Sequence, residues 1–340
     1  MAALALLLVS FFAAALSSGS CLKEHLVVLC HGLSGSQDDL RYLGESLTSA
    51  GAAVYRSRAN EMMRSFHGVK LGGSRLAEEV RELVSAGSYQ SISFVGNSLG
   101  GLYARYAIRL LFNHSDATIA GLTPSRFLLI ASPSLGVRNF TIVEDQGFSV
   151  PDILKRTVSQ VLHRSGEDLF AFDASSLRSS LLYAMATEEP FLAPLRAFEA
   201  RRLYANLNND FVVPLGTAAF LQRDEVLRLR QLHSSSSGIV HTILTNRSES
   251  RGSLDVDPVD HMREELDALG WEKRIVHFPG LLPIAHNKIC ALNRRVYWIL
   301  NDIFAEGKFV MDDASAWICS SGDLASELSR VEYEVSVTGD

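Results

Sequence analysis

The stretch from Ser91 to Ile108 leaves this chain few folds to choose from. It begins as a short apolar run of β character and turns on Gly96-Asn97-Ser98-Leu99-Gly100-Gly101. Leu99, Leu102, Tyr106 and Leu110 then follow at helical spacing. A strand that passes into a helix through so short a turn crowds its central residue. Glycines two before and two after Ser98 leave room for that turn, and the Ser98 hydroxyl then stands clear above the sheet edge. The Leu99 N–H opens the helix without a helical acceptor, so it is free to face a developing oxyanion.

A G-x-S-x-G pattern gains meaning from what surrounds it, and the rest of the chain supplies the other parts in order. Glu24 to Cys30 is an apolar strand that runs into His31-Gly32-Leu33-Ser34-Gly35-Ser36, a small-residue loop whose Leu33 N–H is the simplest second oxyanion donor. His31 reads as a residue that ties down this loop rather than as a base. A helix is expected over Gln37 to Ala50, a strand over Ala52 to Arg58, a helix over Gly72 to Ala86 and a strand over Phe127 to Ala131, which ends in Ser132-Pro133. Strands alternating with helices at this interval predict a mostly parallel, doubly wound sheet with its ligands beyond the strand carboxyl ends.

From Thr141 to about Pro194 the alternation stops. Val150 to Val161 and Leu177 to Met185 read as amphipathic helices with Gly166-Glu167-Asp168-Leu169-Phe170 between them, either a lid over the site or a cover that completes the core. Strand character resumes over Arg201 to Leu207. Asp210 is the first carboxylate past that strand's end, where a triad acid belongs; Asp168, Asp173 and Asp224 compete but follow no clear strand. Ile239 to Leu244 and Arg274 to Phe278 are the last expected strands. His286 lies in the loop past the latter, just ahead of a helix expected from Ile289 to about Ala305, and the order Ser98, Asp210, His286 fits a triad. His241 and His277 fall within strands, and His233 and His261 in polar stretches that read as solvated.

Composition narrows the functional classes. The chain has 340 residues and a formal charge of −6 without a basic stripe, which argues against nucleic acid as a partner. Cys21, Cys30, Cys290 and Cys319 show no metal-ligand spacing and no disulfide framework. The run from Ala2 to Leu16 is uncharged and ends in small residues, as a secretory signal does, although no Lys or Arg precedes it. It is short for a membrane span, which needs about 20 residues. Sequons at Asn113, Asn139 and Asn246 fit a secreted chain without deciding the matter.

Taken together, these pieces resemble the "putative serine esterase" family, a lipase-like branch of the α/β-hydrolases. They are His31 to Ser36, Gly96 to Gly101, Ala131-Ser132-Pro133-Ser134-Leu135-Gly136, Ser165 to Phe170, Leu203-Tyr204-Ala205-Asn206 with Asp210 and Val213-Pro214, and Ala285-His286. The resemblance spans about residues 25 to 305. It implies an α/β-hydrolase fold over residues 23–306 with a helical cap at about 141–194, preceded by a signal or hydrophobic segment at 1–20 and followed by a tail at 307–340. It further implies hydrolysis of carboxylic esters, lipid acyl esters foremost, with no cofactor and no metal. Ser98 would be the nucleophile, His286 the base and Asp210 the acid. Leu33 and Leu99 would supply the oxyanion donors, with Gly96, Gly100, His31 and Gly32 as support. Thioester hydrolysis or acyl transfer on the same triad, and non-catalytic lipid binding, remain alternative readings. Peripheral membrane contact through the cap is compatible with any of them. The N-terminal run points to the secretory pathway or a membrane, with a cytoplasmic or organellar site as the alternative, and oligomeric state is open.

Overall fold

The strands of this protein carry apolar residues on both faces, which only a sheet covered on both sides can bury. The computed structural model describes residues 24–140, 150–231, 236–248, 255–280, 282–294 and 298–320. It opens with β1 (His25–Cys30), α1 (Arg41–Ser49), β2 (Ala53–Arg56), α2 (Val69–Ala86), β3 (Ser91–Asn97) and α3 (Leu99–Leu111). A small hairpin of β4 (Phe112–Asn113) and β5 (Thr118–Ile119) leads to β6 (Thr123–Ile130). Four helices follow: α4 (Asp152–Val161), α5 (His163–Leu169), α6 (Leu181–Thr187) and α7 (Glu189–Ala197). After them come β7 (Ala200–Asn206), α8 (Leu215–Ala218), α9 (Arg223–Gln231), β8 (Gly238–Leu244), α10 (Pro258–Asp267) and β9 (Glu272–His277). The described part ends with α11 (Ala285–Lys288), α12 (Asn301–Phe304) and α13 (Lys308–Cys319).

Seven strands form one sheet in the order β2-β1-β3-β6-β7-β9-β8, parallel throughout except for β8, which runs antiparallel to β9. Alternation along the strands divides the core in two. Leu26, Val28, Ile92, Phe94, Phe127, Leu129 and Leu203 face α2, α3 and the helices α5 to α7. Val27, Leu29, Val95, Leu128, Ile130 and Tyr204 face α1 and α13. The expected fold class therefore holds: a mostly parallel α/β sheet with helices on both faces. The elbow strand β3 lies between β1 and β6 near the middle, so the loops after β1 and β3 meet at its carboxyl end.

Several elements differ from expectation. Residues 37–40 are turn, and the first helix begins only at Arg41. Gly166 to Leu169 is helical rather than connecting, because Gly166 lets the Ser159 carbonyl of α4 approach where a Cβ would collide. The helix expected over Leu177 to Met185 breaks at Ser180, whose hydroxyl accepts the Tyr183 N–H at 3.3 Å and caps α6. Helices α5 to α7 bury Leu169, Phe170, Leu182, Met185, Phe191 and Leu195 in the main core and so cover the sheet. The apolar face of α4 stays open: Ile153, Leu154 and Val161 are exposed.

The C-terminal region departs furthest. No single helix runs from Ile289 to Ala305; α11 ends at Lys288, and Gly307 brings the chain back against the Lys288 carbonyl, leaving no room for a Cβ. Residues 307–340 are not all tail, since α13 buries Val310, Met311, Ala314, Trp317 and Ile318 against α1 and the sheet. His261 is buried rather than solvated: its ring lies on the core side of α10, with Nδ1 2.6 Å from the Tyr183 hydroxyl. The apolar run 2–16, Cys21 and His233 lie outside the described residues. No helix among the described residues is long and apolar enough to cross a membrane.

Candidate active site

Ser98 stands between β3 and α3 with φ 53° and ψ −129°, the strained conformation expected of an elbow. Its N–H donates to the Ile130 carbonyl of β6 at 2.8 Å, which fixes the turn to the neighbouring strand. The turn is this tight because backbones touch. A Cβ on Gly96 would lie 2.6 Å from the Gly101 nitrogen, and one on Gly100 would lie 2.6 Å from the His31 carbonyl oxygen.

Asp210 and His286 come from the two strand ends on the far side of β6. Asp210 follows β7 by four residues and is 3% exposed. Its Oδ1 accepts the Val212 and Val213 N–H groups at 3.0 and 2.8 Å. Its Oδ2 accepts from Asn206 Nδ2 at 2.7 Å and from His286 Nδ1 at 2.9 Å. His286, the second residue of the short helix α11, places its other nitrogen, Nε2, 3.0 Å from Ser98 Oγ. With Nδ1–H committed to a carboxylate, Nε2 is the acceptor for the serine proton. The acid and base loops are also stitched together: Ala285 N donates to Asn209 O at 3.3 Å, and Asn209 Nδ2 donates to Gly280 O at 2.7 Å.

The loop after β1 closes the site from the other side. Gly32 lies against Ser98 so closely that a Cβ there would sit 2.8 Å from Ser98 Cβ. Among the described residues the Leu33 N–H has no hydrogen-bond acceptor, and Leu99 N–H is the first of its helix. His31 is 3% exposed and turned away from the triad: its Nδ1–H donates to Gly32 O at 3.0 Å. Burial pulls its basicity below the ordinary histidine value, against the opposing pull of the Gly32 carbonyl and Asp39. Its bond to Gly32 O holds the loop. Asp39, eight residues on, receives the Arg294 guanidinium through two bonds at 2.7 and 2.5 Å, which ties this loop to the chain beyond α11.

The structure thus brings Ser98, Asp210 and His286 together, with Leu33 and Leu99 beside them. The competing acids are elsewhere. Asp173 accepts from Leu181 N, and Asp224 pairs with Arg228 on the surface. Asp168 accepts the Val69 N–H at 2.6 Å, and burial pushes its carboxyl up to about 6 despite that bond. Among the described residues no cluster of three or more His, Cys, Asp or Glu is arranged to hold a metal.

Sequence reasoning assigned no role to Asn206, which is 1% exposed and donates to Asp210. The Tyr-Ala-Asn motif was visible, but not the fold-back of residues 207–210 that turns its amide toward the acid. Asn206→Ala should lower kcat about 10-fold with little change in KM, because the carboxylate keeps three donors but loses the one that sets its angle to His286. Steady-state kinetics check this, and a change confined to KM would count against the role.

Residues 21–221 match the family described as "Putative serine esterase". A Saccharomyces cerevisiae protein named "Putative lipase ROG1" is 35% identical over 225 residues, covering 63% of this chain and 31% of its own. A Schizosaccharomyces pombe "Putative lipase" is 27% identical over 290 residues, covering 78% of this chain and 36% of its own. The chain therefore spans about a third of the length of these curated relatives. The solved monoacylglycerol lipase of Paleococcus ferrophilus aligns with 87% of this chain and 95% of its own at 15% identity, with a TM-score of 0.42.

Proposed function

The chain belongs to the "Putative serine esterase" family, and from that premise we propose that it hydrolyses carboxylic esters, lipid acyl esters in particular, through an acyl-enzyme on Ser98. The observation that carries this reading is the continuous relay from Ser98 Oγ to His286 Nε2 at 3.0 Å and from His286 Nδ1 to Asp210 at 2.9 Å, ending on an elbow serine at φ 53°. As Oγ attacks the ester carbonyl, Nε2 takes its proton, and Asp210 stabilises the imidazolium that forms. The carbonyl oxygen becomes an oxyanion facing the Leu33 and Leu99 N–H groups. His286 then protonates the departing alkoxide; in the second half-reaction it takes a proton from water, whose oxygen attacks the acyl carbon, and it returns that proton to Ser98 Oγ as the acyl–oxygen bond breaks and the carboxylic acid leaves.

A lipid substrate is supported by what surrounds the relay. Met62 and Met63 beside the oxyanion loop, Phe211 and Val212 after the acid, and Leu282 before the base are all exposed, at 55–66% of their free surface. Exposed apolar side chains concentrated on the loops of one site mark a surface that meets apolar material. The open face of α4, with Ile153, Leu154 and Val161, extends that character to the helical cap and supports contact with a lipid surface.

The test is fluorophosphonate labelling followed by a panel of p-nitrophenyl esters and matched thioesters of increasing chain length, with and without detergent. Labelling of the Ser98 peptide, and ester turnover that rises with chain length, are the expected results. Folded protein that neither labels nor cleaves any substrate under either condition would overturn the proposal. Faster turnover of thioesters than of esters would reassign the substrate.

A further inference from the structure

Beneath the oxyanion loop lies a serine that the mechanism does not use. Ser65, in the 3₁₀ turn Met62–Phe66, has no exposed surface. Its hydroxyl accepts the Ser34 N–H at 2.7 Å and donates to the Met62 carbonyl at 2.6 Å. Met62 N in turn donates to Gly35 O at 2.8 Å, so the turn and the oxyanion loop are stitched at two points. Both stitched residues are held in left-handed backbone: φ is 51° at Ser34 and 51° at Met62. Side-chain-bearing residues keep that conformation only where their surroundings enforce it. Ser34 immediately follows Leu33, whose N–H is the oxyanion donor that no helix positions.

The same serine is gripped through its carbonyl by two other parts of the fold. Tyr103, on the elbow helix α3, donates to Ser65 O at 2.6 Å. Ser165, on α5, also donates to Ser65 O at 2.6 Å and accepts the Gly68 N–H at 3.0 Å. Asp168, one turn further along α5, accepts the Val69 N–H at 2.6 Å. The Ser165 to Phe170 motif therefore attaches α5 to the segment that supports the oxyanion loop.

We propose that Ser65 is a positioning residue for the oxyanion hole, locked from the α5 side by Ser165 and Asp168, so that the seating of α5 on the core sets the aim of the Leu33 N–H. This rests on the ester-hydrolase reading above. The role is felt when negative charge develops on the carbonyl oxygen, not when the ester binds. It follows that the loss of Ser65 acts on kcat, and acts most on substrates whose transition state depends on that oxygen.

The experiment compares an oxygen ester with the matching thionoester, in which sulfur replaces the carbonyl oxygen and accepts hydrogen bonds poorly. In Ser65→Ala, kcat for the oxygen ester should fall about 10- to 100-fold with KM within about 2-fold, and the preference for oxygen over sulfur should shrink about 10-fold. Ser165→Ala should move the preference in the same direction by a smaller factor, and it carries the test if Ser65→Ala fails to fold. Ser74→Ala, at a half-buried serine whose hydroxyl donates to the Lys70 carbonyl of its own helix, should leave the ratio unchanged. A parallel fall on both substrates, with the oxygen preference intact, would overturn the proposal while leaving ester hydrolysis standing. A wild type that cleaves neither substrate would instead sink the ester-hydrolase reading.

Discussion

Replacing Ser98 or His286 with alanine should each lower kcat by about 10⁴- to 10⁶-fold, and the double replacement should be no worse than the more damaging single one. The expectation comes from the geometry of a relay rather than from two separate contributions. Ser98 Oγ lies 3.0 Å from His286 Nε2, and an alkoxide forms there only if that nitrogen takes the proton. In the proposed mechanism there is no acyl-enzyme without the serine, and without the imidazole the serine is a neutral alcohol. Either loss removes the covalent route whole, so removing both removes nothing more. Asp210→Asn should be milder but still cost on the order of 10⁴-fold, because the amide offers a donor where Nδ1–H needs an acceptor and turns the ring to the wrong tautomer. Asp210 also accepts Asn206, Val212 and Val213, so this variant needs a stability check beside the kinetics. Single-turnover rates on the singles and the double measure the effect. Multiplicative losses in the double variant would mean that the two residues do not share a step.

What could be read from the sequence and what could not follows from how far apart the interacting residues lie. The elbow is local: strand, turn and helix are contiguous, and the glycine spacing states its geometry. Asp210 and His286 are singled out as candidates by their order and by their place at strand ends, which a parallel sheet brings to one rim. Asn206 and Ser65 escaped because their partners are set by the folded chain. Ser65 meets Ser34 across 31 residues and Ser165 across 100, and no spacing rule relates them. His261 departs from its expected exposure for a similar reason. Its neighbours in sequence are charged, but in α10 it shares the buried side with Met262 and Leu266, and its partner Tyr183 lies 78 residues away.

The C-terminal helix expected from Ile289 to Ala305 carries a sound apolar periodicity, and tertiary contacts override it. Asp39 captures Arg294, the Asn301 side chain bonds both the N–H and the carbonyl of Arg294, and Gly307 folds the chain back onto α11. Periodicity reports which residues seek a core. It does not report where the chain must turn to reach one.

Gly96→Ala and Gly100→Ala should each destabilise the fold by about 3 kcal/mol or more, enough to lower Tm by about 5–10 °C or to leave the protein insoluble. The size of the effect turns on what the new methyl meets. At Gly96 it meets the Gly101 backbone, with the nitrogen 2.6 Å and the Gly100 carbonyl carbon 3.0 Å away. At Gly100 it meets the end of β1, with His31 O at 2.6 Å and Cys30 C at 2.8 Å. Backbone cannot rotate aside as a side chain can, so α3 would have to lift off the sheet, and with it Ser98 and the core contacts of Leu99, Leu102 and Tyr103. Gly32→Ala differs in kind. Its methyl meets Ser98 Cβ at 2.8 Å and Oγ at 3.2 Å, so the tightest contacts fall on the Ser98 side chain, with the Asn97 carbonyl oxygen at 3.3 Å. That variant should fold and yet label with fluorophosphonate at least about 100-fold more slowly, because the Ser98 hydroxyl is displaced from its bond to His286. Gly238→Ala is the control, since an added methyl there meets nothing within 4 Å and should change stability by less than about 0.5 kcal/mol. Thermal melts together with labelling rates separate the two classes. A Gly96→Ala protein with wild-type Tm would mean that β3 and α3 do not approach this closely, and the elbow would lose the strain that lifts Ser98 above the sheet.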